Sequence, residues 1–223
     1  MARRWDALKN RILRALDDED RSTTVATWSD SELVDYLGFA LDDLANHTAR
    51  QVVWEYDTTE ETTQVELPDD VLAIGPVWFP DREILVKIDL DPGMLFNDET
   101  VTSSSYPQGY YEWPEGVLNL TRSLGAEETL TVFYWGYYRV PDQDEKNLDS
   151  PRWADEALYW YVIGTAMTKP GISEAMLNRF NRKQDQGDPE QNSVKKYSQY
   201  CMERYQGILN QHPVQDRTRW QQV

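Results

Sequence analysis

Cysteine is almost absent from this chain: Cys201 is the single one in 223 residues. One thiol excludes an internal disulfide and leaves no partners for a cysteine-based zinc site. The chain is therefore compatible with a reducing compartment. Cys201 falls within a helical pattern and reads as a small core hydrophobe. Histidine is nearly as scarce. His47 closes a predicted helix and His212 lies in the C-terminal tail, and neither has a second histidine or the cysteine at metal-ligand spacing. Long apolar runs are missing too. No stretch approaches the roughly 18 residues that a bilayer-spanning helix needs. The basic start Met1-Ala2-Arg3-Arg4-Trp5 leads into an amphipathic pattern, without the apolar stretch of a secretory signal. The Asn-x-Thr triplets at Asn46 and Asn119 then read as chance.

Signatures of catalysis are lacking as well. There is no Gly-x-Ser-x-Gly turn, no Walker loop and no Gly-x-Gly-x-x-Gly turn. Acidic pairs such as Asp69-Asp70 and Glu127-Glu128 are expected among 39 acidic residues, and both sit at predicted turns where solvation explains them. The run Asp17-Asp18-Glu19-Asp20 lacks the alternation and the glycine of a calcium loop and reads as a solvated linker. No nucleophile–base set emerges. The expectation is a soluble, non-enzymatic protein with no cofactor and no metal.

What the sequence does hold is acid, unevenly placed. The formal net charge is -17. Residues 1–50 carry 7 basic and 10 acidic side chains, residues 51–149 carry 5 and 21, and residues 150–223 carry 10 and 8. The middle third alone therefore stands at -16, a segment that should repel phosphate backbones. The 9 tryptophans and 13 tyrosines are high counts, and such rings favour interiors and protein interfaces.

The pattern of apolar residues divides the chain in the same places. Residues 5–16 read as a helix through Leu8, Ile12, Ala15 and Leu16. Ser29-Asp30-Ser31-Glu32 is a capping box, with Trp28 and Leu33 at the two positions of a hydrophobic staple. The helix it opens buries Leu33, Leu37, Ala40, Leu41 and Leu44 and ends near Asn46-His47. Period two follows. The stretches around Val53 and Val65 read as one hairpin, 71–79 and 84–88 as a second, and 117–121 and 129–138 as a third around Leu124-Gly125-Ala126. Residues 89–109 form a long excursion rich in Asp, Ser, Pro and Gly. Helix returns with Ser150 as N-cap and Pro151 at its first position. It turns Ala154, Ala157, Leu158, Tyr161, Val162 and Thr165 inward and stops at Lys169-Pro170-Gly171. A short helix over 173–184 and a last one from Asp188-Pro189 to Leu209 complete the pattern. The last helix carries Val194, Tyr197, Cys201, Tyr205 and Ile208 on one face.

The expected fold is α+β: a helical bundle of N- and C-terminal helices with an inserted antiparallel β-rich module. The expected domains are 1–50 with 150–210, the acidic module 51–149, and an arm over 211–223. Two aromatic clusters mark the module, Tyr110-Tyr111-Glu112-Trp113 and Phe133-Tyr134-Trp135-Gly136-Tyr137-Tyr138. In a strand the second places Phe133, Trp135 and Tyr137 on one face and Tyr134 and Tyr138 on the other. One face packs the core and the other meets a partner, so Tyr110, Tyr111, Trp113, Tyr134 and Tyr138 are taken as interface aromatics. A carbohydrate- or receptor-binding module is the alternative use of such rings.

The order of motifs is similar to that of phage head-to-tail adaptor proteins over about residues 5–210. Trp28-Ser29-Asp30-Ser31-Glu32-Leu33 resembles the "W-[ST]-D-x-E-L" opening of that family, and Leu67-Pro68-Asp69-Asp70-Val71-Leu72 resembles its turn between strands. Leu130 to Tyr138, followed by the helix in 153–167, resembles its late strand and helix. The excursion at 89–109 and the extra aromatics depart from the shorter members. The resemblance implies a structural virion protein. It implies a homo-oligomeric ring, commonly of twelve copies, that joins the portal protein to tail, nozzle or neck proteins and continues the DNA channel. DNA would pass without sequence-specific binding and no membrane would be involved. It also implies that the C-terminal arm docks on the portal, through Arg217, Arg219 and Trp220.

Overall fold

The computed structural model describes residues 5–16, 27–57, 61–78, 84–88, 109–112, 114–125, 127–141, 147–169, 193–212 and 214. The chain is α+β, with helical N- and C-terminal regions on either side of a β-rich stretch. Two compact units result. Among the described residues, one unit, within 1–48 and 138–215, contains four helices and the other, within 49–137, contains seven strands. The predicted short helix over 173–184, the linker 17–20, the excursion 89–108 and the start of the last helix lie outside the described residues.

In the helical unit, α1 spans Trp5–Ala15 and α2 spans Asp30–His47. The capping box forms as its residue types require. The Glu32 backbone N–H donates to Ser29 Oγ at 3.2 Å, and the Ser29 N–H donates to the Glu32 carboxylate at 2.7 Å. Trp28 and Leu33, the staple positions, are both fully buried. Helix α3 spans Ala154–Ala166 and α4 spans Ser193–Leu209. Helix α3 is central and packs against α1, α2 and α4. It buries Ile163, Gly164 and Ala166 as well as the predicted Ala154, Ala157, Leu158 and Val162, because it has neighbours on more than one side. Its start differs from expectation. Pro151–Trp153 make a turn first, with Ala154 N–H bonded to Pro151 O, and Trp153 occupies the N-cap position without a side-chain cap. Ser150 is buried instead of capping.

Helix α4 meets α3 where a side chain is missing. A Cβ at Gly164 would lie 3.0 Å from Met202 Sδ and 3.3 Å from Cys201 Cβ. The buried stripe of α4 is Val194, Ser198, Cys201, Tyr205 and Leu209. Ser198 is tolerated there because its hydroxyl donates to the Gly164 carbonyl at 2.8 Å.

The strands are β1 Arg50–Asp57, β2 Thr62–Glu66, β3 Val71–Trp78, β4 Ile84–Lys87, β5 Gly109–Glu112, β6 Val117–Leu124 and β7 Thr129–Gly136. Their order is β1-β7-β3-β4-β5-β6-β2. The predicted β3–β4 pair is present, with Val77 opposite Leu85 and Trp78 opposite Ile84. The other two predicted hairpins are not. Strand β1 pairs with β7 and β2 pairs with β6, so neighbours in sequence sit at opposite ends of the order. Likewise β6 and β7 belong to different ladders, joined by a turn at Gly125–Glu128. Alternation tells which face of a strand is apolar; it does not name the strand beside it. The β4–β5 pair is parallel, against the antiparallel expectation. In sequence the two strands are separated by residues 88–108, long enough for the roughly a dozen or more residues that a parallel pair requires.

One core serves both halves of the order. Val65 and Leu67 follow β2 inward, Leu118, Leu120 and Leu124 come from β6, and Leu130 and Val132 from β7, with Val77, Leu85 and Tyr110 between them. The two halves therefore face each other across their side chains, as in a sandwich.

Candidate interaction surfaces

Leu130 and Val132 of β7 point into that core, and Thr129, Thr131 and Phe133 alternate with them on the other face, where Trp135 is itself buried. Register extends this across the sheet. Trp54 and Tyr56 of β1 lie opposite Val132 and Leu130 and pack on the core, whereas Val53 lies opposite Phe133 and is 56% exposed. The two faces expected for this cluster differ less in burial than alternation predicts, since Tyr134 and Trp135, on opposite faces, are both buried, and Tyr138 lies beyond the end of β7. Tyr134 is buried, and its hydroxyl donates to Asp70 Oδ1 at 2.9 Å. Tyr110 is a core residue whose hydroxyl donates to the Gly75 carbonyl at 3.2 Å. Burial, chiefly, and the Glu112 carboxylate push its phenol above the usual range. Tyr138 is buried in the helical unit and donates to the Thr48 carbonyl at 2.7 Å. These three rings are interior and cannot serve as a docking or sugar-stacking platform. Tyr111 is half-buried on β5. Trp113, Arg217, Arg219 and Trp220 lie outside the described residues.

The outward face is carried by residues that sequence reasoning passed over. Val53, Phe133, Trp78 and Ile84 come from the adjacent strands β1, β7, β3 and β4. Trp78 is 37% and Ile84 63% exposed, and the Trp78 and Phe133 rings stand 5.2 Å apart. Glu55 and Asp57, exposed on β1, border them. The signal was in the pairing, since no two of the four are neighbours in sequence.

Helices α1, α3 and α4 build a second aromatic surface. Trp160 meets Tyr159 edge-on at 5.1 Å and Tyr200 at 5.8 Å, and Tyr200 stacks with Tyr197 at 6.3 Å. The Arg11 guanidinium lies 4.7 Å above the Tyr159 ring and Arg204 lies 5.9 Å above Trp160. Trp160 donates to the Glu156 carboxylate at 3.4 Å. Tyr200 is 46% exposed. The adjacent Tyr159-Trp160-Tyr161 was the available signal.

The acidic pair Asp69-Asp70 does more than stay solvated. The Asp70 carboxylate accepts from Arg50 as well as Tyr134, and its carbonyl accepts from Tyr137 N–H at 2.8 Å. It ties the start of β1 to the end of β7. In the helical unit, Lys169 Nζ lies 2.5 Å from the Glu32 carboxylate and donates to Thr27 O at 2.8 Å. The Lys169 hydrogen bond, then the Ser29 backbone N–H, hold Glu32 down to about 2. The two histidines also meet: His47 Nε2 is 2.8 Å from His212 O, and the His212 ring stacks on Trp153 at 3.8 Å. This is a packing arrangement. Among the described residues no group of three or more His, Cys, Asp or Glu is placed to hold a metal ion. Burial pushes the Cys201 thiol up to about 12, so it is unreactive at neutral pH. Among the described residues, no helix is long and apolar enough to cross a membrane.

The described residues thus form a helical unit and a β unit, each with an aromatic surface. A family model described as SU10 adaptor protein matches residues 3–221. The chain belongs to that family. It is a family of phage structural adaptors, and nearly the whole chain lies within the match. The Trp28–Leu33 opening, every described helix and strand and both aromatic surfaces of this adaptor lie inside it. No curated protein matches the chain.

Proposed function

We propose that this chain is the head-to-tail adaptor of a tailed-phage virion. Copies assemble into a ring, commonly of twelve in such adaptors, docked under the portal. The ring joins the portal to tail, nozzle or neck proteins and continues the DNA channel. The observation that carries this reading is the family match over residues 3–221. The charge distribution supports it: a β unit rich in acid lets DNA slide past without sticking if it lines the channel. The arm at 211–223 docks on the portal through Arg217, Arg219 and Trp220, a basic and aromatic end to an acidic chain.

The decisive measurement is the mass of the purified protein with and without portal. A ring of about twelve subunits in either condition is the expected result. A strict monomer that ignores portal would overturn the reading. Deleting residues 212–223 tests the arm in a pull-down, where undiminished portal capture would remove its role.

A further inference from the structure

The two exposed surfaces described above are chemically complementary. The β surface has an apolar centre, Val53, Trp78, Ile84 and Phe133, with Glu55 and Asp57 at its border. The helical surface has an aromatic centre, Trp160 and Tyr200, bordered by Arg11, Arg204 and the exposed Lys196. Two carboxylates accompany these cations, Glu156, bonded to the Trp160 indole, and the exposed Glu203, one turn from Tyr200.

We propose that the Val53–Trp78–Ile84–Phe133 face of one copy docks on the Trp160–Tyr200 face of a second copy. The inference rests on the ring reading and supplies its subunit contact. Three physical points carry it. The helical cluster joins the half-buried Trp160 to the exposed Tyr200, Arg11 and Arg204, and Trp, Tyr and Arg are the residue types that dominate binding energy at protein interfaces. An acidic border on one patch and a basic border on the other attract at a distance and reject like-with-like pairing. Both patches belong to the same chain, so every copy offers one of each. A contact between two different patches is heterologous. It propagates head to tail and closes into a ring when the rotation allows, whereas a self-complementary patch would stop at a dimer.

The test uses the full chain in two tagged forms, Ile84→Cys and Tyr200→Cys, mixed with and without portal. Cys201 is buried and does not compete for disulfide formation. The expected result is a disulfide between the two forms and little within either alone. Ile84→Glu should weaken assembly roughly thirtyfold or more, the loss typical of a central interface residue. Both side chains are exposed, so melting temperatures should stay close to that of the unsubstituted protein. Like-with-like disulfides, or assembly undisturbed in both Ile84→Glu and Tyr200→Glu, would overturn this contact and leave the ring reading standing. A monomer in every condition would remove both.

Discussion

The Trp28 indole donates a hydrogen bond to the carbonyl of Ala166, 138 residues further along the chain, at 3.1 Å. It joins the residue before the α2 cap to the last turn of α3. The same place holds the Lys169–Glu32 pair and the Lys169–Thr27 bond. The positive N-terminal end of one helix and the negative C-terminal end of another thus share one cluster, each with a side chain of favourable sign. Trp28→Ala removes a fully buried ring and should cost about 3–5 kcal/mol. Trp28→Phe keeps most of the volume, loses the indole donor and should cost about 1–3 kcal/mol. Urea titration followed by far-ultraviolet circular dichroism measures both, and equal losses would show that the hydrogen bond is irrelevant.

Glu32 gives the helical unit a dependence on acid. Its carboxyl is lowered from 4.5 to about 2 in the folded chain. A depressed folded value means that the carboxylate stabilises the fold above its unfolded pKa and loses that effect as pH falls toward 2. The melting-temperature gap between the unsubstituted chain and Glu32→Gln should therefore be largest above about pH 5 and shrink between about pH 4.5 and 2. A gap independent of pH would reject this assignment.

Tyr205 predicts the opposite sign. Its hydroxyl donates to Asp43 Oδ2 at 2.5 Å. Burial first, then the hydrogen bond to the Asp43 carboxylate, raise its pKa. A raised folded value means that the stabilising form is fully present below the unfolded phenol pKa of about 10 and is lost as pH rises through the folded value. Tyr205→Phe should cost about 1.5–3 kcal/mol at neutral pH, typical of a hydrogen bond to a charged group. Denaturant titrations at pH 7 and above pH 10 check this, and the cost should diminish only at the alkaline end.

Two glycines should respond in opposite ways to alanine. A Cβ at Gly136 would lie 2.9 Å from the Asp70 carbonyl oxygen and 2.9 Å from the Tyr134 ring. The first is backbone immediately before β3, held by the Tyr137 N–H, and cannot easily give way, so Gly136→Ala should destabilise by about 1–3 kcal/mol. Gly207 lies in α4 with nothing within 4 Å of its added Cβ. Gly207→Ala should stabilise by up to about 1 kcal/mol through helix propensity. Thermal melts of the two variants decide it, and shifts of the same sign would contradict the packing described.

Local chemistry made parts of this fold legible in advance. Ser29 and Glu32 specify a helix start by themselves, because a capping box uses only groups three residues apart. The stripes of α1 and α2, the β3–β4 pair and the two-faced character of β7 also follow from spacing within a few residues. The start of α3 was misread for the same reason. Ser150-Pro151 offers a cap, yet a turn through Trp153 intervenes and burial claims Ser150.

Composition and spacing determined the start of α2, the acidic middle, the alternation of each strand and the absence of an internal disulfide, since each depends on residue type or near neighbours. Tertiary structure alone decided which strand lies beside which. It therefore decided that Tyr134 is core and Phe133 is surface, that Val53, Trp78 and Ile84 join Phe133, and that Arg11 and Arg204 frame Trp160. Those outcomes depend on contacts between residues far apart in the chain. The energy of a strand partner or a helix crossing comes from surfaces that exist only once both elements are in place.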